Sequence, residues 1–205
     1  MDISTIEGKK MKGIVYDCEI INCIPSAKMW QKPQLTYCKG WDDFEGMGIS
    51  VICASEIDSD QKWEFSFYNI QKFQAVIYKA LRENYIIAGF NSKSFDDNLC
   101  RANGIAITTN FDLLEEIRIA AFNSPRWEDT PKGRTYKLDA IAKANGMSKT
   151  GSGELAPELW QMGKEAEVMQ YCMNDVLITK QLLIKFINNQ LVDPNTNLVL
   201  QYKGT

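Results

Sequence analysis

Residues 13–20, Gly13-Ile14-Val15-Tyr16-Asp17-Cys18-Glu19-Ile20, are an apolar run broken by two acids. The run reads as a buried strand with carboxyls where hydrophobic side chains are expected. Side chains two apart on a strand share a face, so Asp17 and Glu19 project together. Two buried like charges repel and are costly to desolvate, so the pair calls for a cation or a protonated partner. The alternative is a strand that ends here with its acids in water.

The rest of the chain sets this strand in a mixed fold. Residues 21–45 lack periodicity and hold Pro25, Pro33 and two tryptophans, so they read as a long insertion, and long loops in compact domains are often functional. Strands are predicted over 48–54 and 62–68, with Asp58-Ser59-Asp60 as their hairpin turn. A helix over 71–83 puts Phe73, Val76, Ile77, Ala80 and Leu81 on one face. A short apolar strand over 85–90 follows, then a helix over 94–102 with Ser94 as N-cap and Gly104 as stop. Residues 111–122 fit a strand start or a helix, and 123–134 are polar and irregular. Helices over 137–144 and 164–186 flank a flexible loop at 148–153. The order β, insertion, β-β, α, β, α, then mostly helix, implies an α/β fold with a mixed sheet flanked by helices. With 205 residues, 45% apolar and 11% aromatic, the chain suits one domain over 1–205, with a core over about 12–186 and a peripheral tail at 189–205.

The sequence has no histidine. That removes imidazole as a triad base, as a zinc ligand and as the usual general base near neutral pH. Chemistry must come from carboxylates, hydroxyls, thiols, amines or a metal held by oxygen. Six cysteines lie scattered with no C-x-x-C pair, as expected of free thiols in a reducing compartment. Cys18, Cys23 and Cys38 could be drawn as a zinc site, but their spacing fits no common ligand pattern. The start of the chain lacks the pattern of a signal peptide, and no apolar run approaches the roughly 18 residues of a membrane span. A soluble cytoplasmic protein is the expectation.

Two further elements carry acids. In Gly89-Phe90-Asn91-Ser92-Lys93-Ser94-Phe95-Asp96-Asp97 an apolar strand runs out into a helix start, where an aspartate such as Asp97 often only complements the helix dipole. In the last helix, Tyr171 and Asp175 stand one turn apart on one face.

Together these elements resemble the 3′–5′ exonucleases of the DnaQ-like (DEDD) superfamily, which share a ribonuclease-H-like fold. The resemblance spans roughly residues 12–186 and rests on Asp17-Cys18-Glu19, on Asn91 with Phe95-Asp96, and on Tyr171 with Asp175. The third motif takes a tyrosine or a histidine form. This chain has only the tyrosine form, as in RNase D-like enzymes and polymerase proofreading domains. Residues 135–142 also look like the helix that often precedes the third motif in the polymerase-related members. The insertion after Glu19 departs from the family, many of whose members pass quickly to the next strand, so the resemblance does not define the substrate entrance.

The resemblance implies Asp17, Glu19, Asp96, Tyr171 and Asp175 as catalytic residues, with the four acids holding two Mg²⁺ or Mn²⁺ ions, the hard cations that suit oxygen donors. It implies hydrolysis at the 3′ end of a single strand, with DNA favoured over RNA and release of nucleoside 5′-monophosphates. Tyr171 has an ordinary pKa of about 10 and is expected to orient the nucleophile by a hydrogen bond. Between Arg118 and Lys149 lie seven basic and three acidic residues. Arg126, Trp127, Lys132, Arg134 and Lys137, with Asn91 and Phe95, are the expected substrate contacts, since basic and aromatic side chains together track phosphates and stack bases. An ordinary solvated loop would look the same. A polymerase or another replication or repair protein is the implied partner class, and a nuclease-like domain acting only as a binding module is the competing reading. Residues 149–154 lack the ending and setting of a phosphate loop.

Overall fold

The computed structural model describes residues 11–26, 31–148, 153 and 155–204. β1 (Gly13–Ile20) is the central strand of a five-stranded sheet with β2 (Ile49–Glu56), β3 (Lys62–Ser66), β4 (Ile86–Gly89) and β5 (Phe111–Asp112), in the order β3-β2-β1-β4-β5. The β1/β2 and β2/β3 pairs are antiparallel, and the β1/β4 and β4/β5 pairs are parallel. Around the sheet lie α1 (Phe44–Met47), α2 (Phe73–Arg82), α3 (Asp96–Ala102), α4 (Leu113–Phe122), α5 (Leu138–Ala144), α6 (Ala156–Gln161) and α7 (Glu165–Ile187). This is the mixed, helix-flanked, ribonuclease-H-like sheet expected from the sequence.

Strand alternation divides β1 between two cores. Val15 faces Val51, Cys53, Val168, Cys172 and Val176, the layer beneath α7. Ile14, Tyr16 and Cys18 face Phe73, Ile77, Leu99 and Cys100, the layer beneath α2 and α3. Asp17 and Glu19 share the parity of Val15 and so lie toward α7. The β1/β4 ladder runs only from Gly13 opposite Ile86 to Val15 opposite Ala88. Asp17 and Glu19 therefore lie past the last β4 pairing, at the carboxyl end of parallel strands where α/β sheets open into a crevice.

Several local expectations change. Ser94 is not a cap: Asn91 takes a left-handed φ of 64°, Ser94 and Phe95 both donate their N–H to Asn91 O at 3.2 Å, and α3 starts at Asp96. A tight turn has taken the residues that propensity assigned to the first helical turn. Leu81 is exposed, because α2 buries only the narrower face of Phe73, Ile77 and Ala80. Residues 111–122 are both alternatives in succession, a two-residue strand and then α4, which Asp112 caps by accepting Leu114 N–H at 3.0 Å. The insertion holds a bridge between Cys23 and Tyr37 and runs into α1, and α6 adds a helix before α7. The segment after α7 is not peripheral. Leu191 and Leu200 are buried, Val192 pairs with Val199, and the Tyr202 ring meets Phe186 at 5.3 Å and Phe111 at 6.1 Å.

Candidate active site

The two acids of β1 are joined by one from α3 and one from α7. Cys18, between the β1 acids, donates its backbone N–H to Asp96 Oδ1 at 3.1 Å, which stitches the first turn of α3 to the strand. On the opposite face α7 lies against β1 and β2, where Cys172 Sγ donates to Asp17 O at 3.4 Å. Tyr171 hydrogen-bonds Asp175 one turn away. Asp17 is half-buried, and Glu19, Asp96, Tyr171 and Asp175 are buried. All five line one cleft of about 800 Å³.

The electrostatics match crowded acids. Burial holds the Tyr171 phenol well above its ordinary pKa, and the charges of Asp175, Glu19 and Asp17 push it further. Burial also lifts the Asp96 carboxyl well above the usual carboxylate range, against the lowering effect of the Cys18 N–H. Donor atoms of Asp17, Glu19 and Cys172 lie within 4.8 Å of one another, a cluster able to hold a metal ion. Within it Cys172 is a poor ligand. Its thiol is raised well above its ordinary value by burial and by its hydrogen bond with Cys53, and its proton serves Asp17 O. What remains is a carboxylate set suited to a hard divalent cation. Cys18, Cys23 and Cys38 form no metal cluster among the described residues, and all six cysteines are buried and free.

Of the expected substrate contacts, Asn91, Phe95, Trp127, Lys132, Arg134 and Lys137 line this cleft. Arg126 does not, because its guanidinium turns to Glu128 at 3.7 Å and Asp129 at 3.8 Å, on the exposed turn they share. Asn91 is there chiefly as the turn residue, its backbone N–H held by Asp112 Oδ1 at 3.0 Å. Arg118 of α4, which is not among the expected contacts, also lines the cleft. Its Nη1 donates to Pro125 O at 3.3 Å, while its buried Nε has no hydrogen-bond partner among the described residues. It was visible only as one charge in the basic run, since the direction of its side chain depends on α4 being helical. Gly153 also lines the cleft, and residues 149–152 and 154 of that loop lie outside the described residues.

No protein-family model matches the chain, and no curated protein matches it in sequence. Among solved structures it is similar to exonuclease I, at 16% identity and a TM-score of 0.45 over 86% of this chain. The chain spans 41% of the length of that protein. It is also similar to RNase D from Trypanosoma brucei, at 10% identity and a TM-score of 0.43, over 95% of this chain and 70% of that one. No helix among the described residues is long and apolar enough to cross a membrane.

Proposed function

We propose that the protein is a metal-dependent 3′–5′ exonuclease that acts on single-stranded ends, DNA in preference to RNA. The observation that carries this reading is the convergence of Asp17, Glu19, Asp96 and Asp175 with Tyr171 in a cleft that also holds Arg118, Lys132, Arg134 and Lys137. Acids alone would repel a phosphate backbone. The same acids with divalent cations, in a cleft with basic side chains, attract one.

Asp17, Glu19 and Asp175 would hold one Mg²⁺ or Mn²⁺, and Asp17 with Asp96 a second. When bound, such ions supply Lewis-acid activation of water and stabilise charge at both oxygens of an in-line displacement at phosphorus. Water then adds to the terminal phosphodiester, the P–O3′ bond breaks, and a nucleoside 5′-monophosphate leaves behind a new 3′-hydroxyl. Burial holds the Tyr171 phenol above its ordinary pKa, so it serves better as a hydrogen-bond donor than as a base, its hydroxyl turning from Asp175 when that carboxyl holds a cation. Its role is to orient the nucleophile or the phosphoryl oxygen.

The test is digestion of end-labelled single-stranded DNA, duplex DNA and RNA, each labelled at either end. Stepwise shortening from the 3′ end should require Mg²⁺ or Mn²⁺ and be lost with EDTA or in Asp17→Ala. Binding without cleavage under all metals would refute the reading.

A further inference from the structure

Trp41 sits in the segment between β1 and α1, and its indole is 68% exposed. It is nonetheless held in place. The ring meets Phe95 edge-on at 6.5 Å, and Phe95 in turn meets Phe44 at 5.9 Å in the same geometry. Two residues further along, the Asp43 carboxyl accepts the N–H of Lys39 at 2.7 Å and of Gly46 at 3.2 Å. Asn103 Nδ2 ties Phe44 O and Leu99 O, at 3.2 and 2.8 Å, so this turn is anchored to α3. An exposed indole held in this way offers a fixed flat face on which a planar ligand group can stack.

That surface shares the acids' cleft: Trp41 lines it with Asp17 and Asp96, and so does Trp127, also 68% exposed, from the 3₁₀ turn Trp127–Asp129. Lys132, Arg134 and Lys137 share the cleft. Flat apolar faces set among cations match the alternation of base and phosphate along an unpaired strand. In a duplex every base but those of the terminal pair is stacked on both faces and closed to the indoles.

We propose that Trp41, backed by Phe95, and Trp127 form a stacking platform for the unpaired bases of the strand end, so that the insertion between β1 and α1 selects single-stranded over duplex termini. This rests on the exonuclease reading and adds Trp41 to the contacts expected of it.

Fluorescence anisotropy with two 5′-labelled single-stranded oligonucleotides, alike except that one ends in abasic nucleotides, tests it on wild type, Trp41→Ala and Trp41→Phe. Trp41→Ala should bind the base-bearing end roughly 10-fold more weakly, the scale of one lost stacking contact. Trp41→Phe should keep most of the affinity, and the abasic end should bind wild type and Trp41→Ala alike. No loss in Trp41→Ala, or an equal loss on both ends, would overturn the proposal. If wild type also digests the strand with Mg²⁺, the exonuclease reading survives that failure. If wild type neither binds nor digests either oligonucleotide, both fall together.

Discussion

Asp97→Ala tests how the site is kept in register. Asp97 follows Asp96 at the start of α3 but is buried in the layer beneath β1, where it accepts Tyr16 O–H at 2.6 Å and Thr109 N–H and Oγ1–H, each at 2.9 Å. Tyr16 precedes Asp17, so this carboxyl joins the strand bearing two of the acids to the helix bearing a third. Arg101 stands 3.9 Å away and largely in water, where an ion pair adds little. Alanine would strand three buried donors. The Tyr16 and Thr109 hydroxyls lie 3.1 Å apart and can satisfy each other once. Two donors remain unmet, at about 1–3 kcal/mol each, so a loss of about 4 kcal/mol is expected, or about 10 °C in Tm for a chain of this size. Tyr16→Phe removes one bond and should cost about 1–2 kcal/mol, and the double variant should fall short of additivity by about 1 kcal/mol. Urea denaturation followed by circular dichroism measures all three. A loss under about 1 kcal/mol in Asp97→Ala, or strict additivity, would refute the coupling.

Tyr171→Phe should keep measurable digestion, reduced about 10- to 100-fold by the loss of one transition-state hydrogen bond, while Asp17→Ala and Asp175→Ala lose nearly all of it. Because burial holds the phenol above its ordinary pKa, the pH–rate profiles of wild type and Tyr171→Phe should stay parallel into the alkaline range; equal loss in all three variants would refute an orienting role. Asn195 accepts Thr135 N–H at 2.9 Å and donates to Thr135 O at 3.1 Å, beside the Tyr136 to Asp193 bond that fixes the basic wall of the cleft. Asn195→Ala should raise KM for single strands with kcat nearly unchanged, and a change confined to kcat would count against that wall as a binding element. The N–H groups of Lys39 and Gly46 hold the Asp43 carboxyl below its ordinary value. A depressed folded-state pKa means that this cap contributes above about pH 4 and fades as pH falls through the folded value. The stability gap between wild type and Asp43→Ala should therefore narrow in acid, and a widening gap would refute the cap.

Much of the fold was legible because local periodicity determines it. The alternation in β1, the apolar run of β4 and the long amphipathic α7 each have enough residues to declare a period. Where two short elements abut, as Phe111–Asp112 and Leu113–Phe122 do, the period is shared and the pattern reads as either. The tail escaped notice because its anchors, Leu191, Leu200 and Tyr202, are spaced by a turn that buries them against α7, and no helix or strand period links them. Leu81 failed in the other direction. Helical spacing shows which residues share a face, and how wide a face the neighbours cover is settled only by packing.

The same distinction explains the site. Asp17 with Glu19, and Tyr171 with Asp175, are pairs within one element, so their common face follows from backbone geometry. Asp96 and Asp97 are adjacent and chemically identical, yet one lines the cleft and the other is consumed in the core by Tyr16 and Thr109. Which is which depends on the left-handed turn at Asn91 that starts α3 at Asp96, and composition carries no trace of that turn. Trp41, Arg118 and Arg126 show the same dependence for side chains near or within loops. Each was a charge or ring of uncertain direction in the sequence, and only the course of the backbone turns Arg118 inward and leaves Arg126 to its acidic neighbours. The acids proposed to do the chemistry are therefore set by regular elements, while the groups proposed to choose the substrate sit where regularity ends. Substitutions at Trp41, Lys132 or Arg134, which line the cleft from outside β1, α3 and α7, should alter which strand ends are taken without disturbing the carboxylate frame.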